Sequence, residues 1–136
     1  MNLKKIIPAT LVAFVVLFLA DWLWFGVVFA DWFHQMMPSN GNENIPMHAV
    51  GELCLAFLMA AIYPYGYKGG YAVKEGAMFG ILIGLVYQLP GSIHMYASMG
   101  GSLSVVFFFI ANGIVMGIIG GITVAMVYGK QSAAAK

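Results

Sequence analysis

Residues 103–128 read LSVVFFFIANGIVMGIIGGITVAMVY and contain no charged side chain. An α-helix needs about 20 consecutive apolar residues to cross the hydrocarbon core of a bilayer, and this stretch is longer than that. Three further long and mainly apolar stretches precede it, at residues 6–29, 46–65 and 74–95, each with one or two charged residues. All four are too long, and alternate too little, to be membrane-spanning strands. The sequence therefore predicts an all-α integral membrane four-helix bundle, built as a single transmembrane domain over residues 1–136.

The composition of the whole chain agrees with this class of protein. Hydrophobic residues make up 62% and charged residues 8% of its 136 residues, and the mean hydropathy is +0.89. A soluble domain carries about 25% charged residues, so this chain could not cover a water-facing surface. It contains no arginine and no basic stripe, which excludes a nucleic-acid partner. The lone cysteine, Cys54, excludes an internal disulfide and a multi-cysteine metal site, and its leucine-rich surroundings predict a buried thiol.

The lysines predict how the bundle is oriented. They precede the first span, flank the loop between the second and third spans, and follow the fourth span: Lys4, Lys5, Lys68, Lys74, Lys130 and Lys136. Lysine and arginine collect in the cytoplasmic loops of membrane proteins. We therefore expect both termini in the cytoplasm, in a bacterial inner membrane, with the polar loop at residues 38–46 outside. Before that loop we expect a bend near Gly26 or a short interfacial helix anchored by Trp32 and Phe33.

Glycine recurs at every fourth position in the third and fourth spans. Residues four apart share one helix face, and small residues let membrane helices approach closely. The two stripes therefore predict tight packing, either between these two spans as one hairpin or against a second copy of the chain. Their members are Gly76, Gly80 and Gly84 in the third span, and Gly113, Gly117 and Gly121 in the fourth.

Every span also carries a polar residue in the half that is predicted to face outward. An ionisable group in the bilayer centre costs about 2.5–3.5 kcal/mol on insertion scales, so such groups turn to the bundle interior and find partners. We therefore predict one outward-facing polar cavity, with a kink at Pro90 that opens it. A purely structural hydrogen-bonded cluster is the alternative. The five predicted residues are Asp21, Glu52, Gln88, His94 and Asn112.

The histidines permit another interpretation of the same region. His48 and Glu52 lie four residues apart on one helix face, and His94 ends the third span at a similar depth. Imidazole and carboxylate groups bind divalent metals, so these three residues could form a metal site. Two histidines, His48 and His94, could instead be the axial ligands of a haem. The alternative is that both histidines are solvated or interfacial. The aromatic residues that follow Asp21 could line an apolar pocket for a lipid tail or a quinone.

The chain resembles a family of short bacterial four-helix membrane proteins of unknown function. The similarity lies in residues 24–29 (WFGVVF) with Trp32 after them, in residues 76–84, and in Pro90 and Asn112. The family's motif looks like two aromatic residues, glycine, two variable residues and phenylalanine. The resemblance implies the four-helix fold and no catalytic activity.

Three functions remain open at this point. The first is a non-enzymatic membrane protein, either an accessory subunit of a larger membrane complex or a homo-oligomer, because no catalytic constellation is recognisable. The second is a small proton- or cation-coupled carrier or channel that uses Asp21 and Glu52. The third is a haem-, metal- or quinone-binding redox subunit that uses His48, Glu52 and His94.

Overall fold

The structure is a computed structural model that describes residues 3–37, 44–66 and 70–134, without the side chains of residues 130–134. Residues 38–43 of the predicted outer loop, and Lys68 and Lys136, lie outside these ranges. All regular structure within the described ranges is helical. The elements are α1 (Leu3–Leu23), a π-helical turn (Trp24–Val28), α2 (Ala30–Met36), α3 (Ile45–Gly66), α4 (Ala72–Met99) and α5 (Leu103–Ala134).

Four of these helices are long and apolar enough to cross a membrane, as the sequence predicts. They are α1 with the π-helical turn (Leu3–Val28), α3, α4, and residues Leu103–Gly129 of α5. The helices extend a few residues beyond most predicted bounds, and α4 continues as an α-helix through Pro90 to Met99. Apolar side chains cover the outside of all four helices. Such a surface is stable in contact with lipid but not with water.

The first span changes helix type at the point where a bend was predicted. The N–H of Phe29 donates to the carbonyl of Trp24 at 3.0 Å, five residues back, and Gly26 lies inside this π-helical turn. The short helix α2 follows. The ring of Trp32 in α2 and that of Phe29 just before α2 pack on Phe108 of α5, with centroid distances of 4.5 Å and 5.3 Å, respectively. The aromatic residues from Trp24 to Phe33 therefore pack on one another and on α5, whereas Trp22 is exposed.

The glycine stripes of α4 and α5 face each other within one chain. Gly76 lies opposite Gly121, Gly80 opposite Gly117, and Gly84 opposite Gly113, as expected for antiparallel helices. A Cβ atom on Gly76 would lie 2.6 Å from the carbonyl oxygen of Gly121, and a Cβ on Gly80 or Gly84 would overlap the facing backbone more severely. The backbones of the two helices are therefore in direct contact along the stripe.

The second half of the bundle is built by α1, α3 and one face of α5. Small buried residues let α1 and α3 approach closely, and the side chains of Leu17 and Met59 lie over Gly120 of α5, about 3.1–3.2 Å from where a Cβ would be. The buried hydroxyl of Tyr128 donates to the carbonyl of Ala60 at 2.8 Å. The core consists of Ile6, Ala9, Ala13 and Leu17 of α1, Ala56, Met59, Ala60 and Tyr63 of α3, and Met116, Val124, Ala125 and Tyr128 of α5.

The helices thus form two pairs, α1 with α3 and α4 with α5, which meet mainly where α1 packs on α5. Contacts between α3 and α4 are few, and they include the rings of Tyr63 and Phe79, whose centroids lie 5.3 Å apart. We call the end of the bundle with Lys4, Lys5 and Lys74 the lysine end, and the opposite end, with His48 and His94, the histidine end. The prediction that Cys54 is buried is wrong, because its side chain is exposed on the outer face of α3.

Candidate functional site

Asp21 is the most deeply buried charged residue among the described side chains. It lies near the end of α1, three residues before the π-helical turn, and only 6% of its surface is exposed. The two oxygens of its carboxylate have different partners. Oδ2 lies 2.8 Å from Nε2 of His48 on α3, and Oδ1 accepts a hydrogen bond from Nδ2 of Asn112 on α5 at 3.4 Å. Asp21 therefore links three helices.

Glu52 adds a second carboxylate to this group. It lies one helical turn after His48 on α3, on the same face, and is half-buried. One carboxylate oxygen each from Asp21 and Glu52, and one ring nitrogen of His48, all lie within 4.8 Å of one another. The side chain of His48 is 56% exposed, whereas that of Asp21 is 8% exposed. The group is therefore open at the imidazole and enclosed at the Asp21 carboxylate.

A small cavity begins beside the two carboxylates and extends toward the glycine stripes. Its volume is about 30 Å³, which is room for a water molecule or a small ion and far below the ~300–1,000 Å³ of typical cofactor pockets. All four long helices contribute to its wall, and the polar contributors are Asp21, Glu52, Tyr87 and Asn112. The remaining lining residues are Leu55, Met59, Ile83, Gly84, Gly113, Met116 and Gly117.

The structure brings together three of the five residues predicted for the polar cavity. Asp21, Glu52 and Asn112 line it, and Gln88 and His94 are not among the described residues that do. Gln88 is half-buried, with its Cβ and Cγ against Gly113, and its carbonyl accepts a hydrogen bond from Ser92. His94 is exposed on α4. For the predicted metal or haem ligands, the consequence is that His48 and Glu52 group with Asp21 rather than with His94.

The pairing of Asp21 with His48 is the feature that sequence reasoning missed. The spacing of His48 and Glu52 on one helix face was visible in the sequence, and so was the depth of Asp21. What the sequence did not contain is the rotation of α1 that turns Asp21 toward α3. A ring contact supports the same arrangement, because Phe18, on α1 one turn before Asp21, lies 6.4 Å from the His48 ring.

No known protein family, no curated protein and no solved structure matches this chain. The similarity to short four-helix bacterial membrane proteins therefore stays a resemblance, and the function is argued from the site.

Proposed function

We propose that this chain is a non-enzymatic integral membrane protein that binds a small cation, a proton or a metal ion, at Asp21 and Glu52, and acts as a small carrier or channel. The observation that carries this proposal is the buried Asp21 carboxylate, bonded from two other helices and adjacent to a second carboxylate. Two carboxylates at membrane depth are costly unless a cation or protons neutralise them. The described lysines, Lys4, Lys5 and Lys74, are at the other end of the bundle.

The site is accessible from the histidine end and closed toward the lysine end, as expected for a carrier or channel in a state that is open to one side. At the histidine end, the exposed ring of His48 leads to Asp21. Toward the lysine end, the bundle is closed by backbone contact along the glycine stripes and by Tyr63, whose ring packs against those of Phe79 and Tyr128 at 5.3 and 5.5 Å. An ion that reached Asp21 from the histidine end would need the two helix pairs to separate before it could pass further.

We further propose that the lysine end faces the cytoplasm of a bacterial inner membrane, on the basis of the lysine distribution. The cation would then enter from the periplasmic side. An accessory role in a larger complex, or self-association, stays a prediction from the sequence. The cavity next to Asp21 and Glu52 is too small for a haem or a quinone, so these cofactors form no part of the proposal.

Proton movement in liposomes tests this function. The purified full-length chain would be reconstituted with a trapped pH-sensitive dye, and a potassium diffusion potential would drive cations inward. We expect faster acidification than in empty liposomes, loss of this effect in Asp21→Asn, and a reduced effect in Glu52→Gln.

Glu75→Gln provides the matched control, because the Glu75 carboxylate lies at the lysine end and accepts a hydrogen bond from the N–H of Gly70 at 2.8 Å. This variant should keep the wild-type rate. The function would be refuted if Asp21→Asn and Glu75→Gln moved both protons and metal ions at equal rates, or if the wild type moved neither.

A further inference from the structure

We propose that Asp21, His48 and Glu52 form a binding site for a divalent transition-metal ion of the Zn²⁺ class. The inference rests on the proposed function and names its cation. It replaces the ligand set expected from the sequence, because Asp21 of α1 takes the place that His94 was expected to fill. The argument depends on the geometry of the donors, their charge, the group that orients Asp21, and the space beside them.

The donor atoms are close enough to hold one ion. The two carboxylate oxygens and the imidazole nitrogen lie within 4.8 Å of one another. In a tetrahedral zinc site, with metal–ligand distances of about 2.0–2.2 Å, neighbouring donors lie roughly 3.3–3.6 Å apart. Small side-chain rotations close this difference. His48 has room to rotate, because its ring is exposed and lies in the first turn of α3.

The charge and chemistry of the donors select the kind of cation. With both carboxylates ionised, Asp21 and Glu52 carry two negative charges, which one divalent ion neutralises and one monovalent ion does not. Neutrality is important here because an uncompensated charge is expensive in a low-dielectric interior. Calcium and magnesium prefer sites made of oxygen ligands alone, whereas imidazole suits zinc and its neighbours. The mixed set of two oxygens and one nitrogen therefore favours a transition metal.

Asn112 positions the Asp21 carboxylate for this role. Its Nδ2 donates to Oδ1 of Asp21, which leaves Oδ2 directed at His48 and available to a metal. Carboxylates that bind metals are commonly held in this way by a second hydrogen-bonding group. For a metal to bind Nε2 of His48, the proton between Nε2 and Oδ2 of Asp21 must move to Nδ1 of the ring or be released to water, because the metal needs the lone pair of Nε2.

The cavity supplies the space for the rest of the coordination sphere. Three protein ligands leave one position open in a four-coordinate site, as in zinc centres that exchange water or substrate. The cavity of about 30 Å³ borders both carboxylates and has room for one water molecule. An ion held by three side chains and a water is released more readily than one enclosed by four side chains, which is what a carrier or channel requires.

Isothermal titration calorimetry of the detergent-purified full chain with ZnCl₂ tests the site. The purification tag should contain no histidine, because a histidine tag would bind Zn²⁺ itself. We expect one ion per chain for the wild type. Binding should be at least 100-fold weaker in His48→Ala and in Asp21→Asn, and about 10–100-fold weaker in Asn112→Ala, as for other residues that orient a ligand. His94→Ala is the matched control and should bind like the wild type.

The visible absorption spectrum of bound Co²⁺ gives a second test that does not depend on the stability of the His48 and Asp21 variants, because it is read from the wild type and His94→Ala. Co²⁺ bound to the wild type should show the intense visible bands of a four-coordinate nitrogen and oxygen site, and His94→Ala should keep these bands. Equal binding in His48→Ala and His94→Ala, or no wild-type binding at millimolar Zn²⁺, would overturn the metal site.

If Asp21-dependent proton movement persisted without metal binding, the proposed function would stand with the proton as its cation. Metal binding at these residues without ion movement in liposomes would support the site and overturn the carrier or channel.

Discussion

At the Asp21 carboxylate, each oxygen is matched to one neighbouring helix: Oδ2 to His48 on α3 and Oδ1 to Asn112 on α5. The hydrogen bond from Asn112 matters for stability because both residues are buried, each only 6% exposed. A buried polar group that loses its partner pays the full cost of desolvation, whereas the removal of both partners together can be nearly neutral.

We therefore predict that Asn112→Leu lowers the free energy of unfolding by about 1–3 kcal/mol, measured by unfolding in mixed detergent micelles. Thr123→Val is the control on the same helix, because the Thr123 hydroxyl donates within its own helix, to the carbonyl of Ile119 one turn back. Adding Asp21→Leu to Asn112→Leu should recover part of the loss. Strictly additive single effects would contradict a direct bond between the two side chains.

The residues of the site were partly predictable from the sequence. The sequence shows how deep each residue lies along its helix, but it does not show how the helix is rotated about its axis. Depth follows from 1.5 Å of rise per residue, so a sequence shows which residues share a level. Rotation depends on which face a helix buries. Gln88 lies four residues after Gly84 and so continues the glycine stripe onto α5, which the spacing alone could have shown. The turn of α1 that directs Asp21 at His48 depends on packing with α3, and no pattern in the sequence encodes it.

At the scale of elements, α4 and α5 act as one unit because their backbones touch. Three glycine pairs remove the side chains at the points of closest approach, so dispersion forces between the two backbones replace helix–lipid contact there. The sequence predicted both stripes but not what each stripe packs against. Packing of α4 on α5 within one chain and packing against a second copy of the chain require the same small residues. The contact in the structure is within one chain.

We predict that Gly80→Ala destabilises the protein by about 1–3 kcal/mol, because the added methyl group overlaps the backbone of Gly117 and must push the helices apart. Gly91→Ala, on the same helix, should be neutral or slightly stabilising, since a Cβ there meets nothing within 4 Å and alanine favours the helix. Thermal unfolding in detergent measures both variants. Equal melting temperatures for the two would rule out close backbone contact at Gly80.

At the scale of the whole molecule, the polar site and the described lysine side chains occupy different ends. The four-helix, all-α fold followed directly from four long apolar runs. The pairing of α1 with α3 and of α4 with α5 did not follow from those runs. Similar apolar faces permit several helix orders in a membrane, so the order depends on small residues such as Ala9 and Ala56 that allow close approach.

The orientation gives a prediction at this scale. In a Cys54→Ala background, Asn42→Cys should react with a membrane-impermeant maleimide added to intact cells, because Asn42 comes shortly before the first turn of α3, which carries His48 at the histidine end. A reporter enzyme that works only in the cytoplasm should be active when it is fused after Lys136. Labelling of Asn42→Cys only after the cells are broken would reverse the orientation, and with it the side from which the cation enters.

The Asp21 contacts also have a consequence for how the chain is made. His48 lies 27 residues and Asn112 lies 91 residues further along the sequence. When α1 leaves the ribosome and enters the bilayer, neither partner has been synthesised, so the carboxylate arrives alone at a cost of about 2.5–3.5 kcal/mol if it stays ionised. We therefore expect α1 to stay beside the insertion machinery until α3 has been synthesised, and to reach its final packing only after α5 has entered the bilayer.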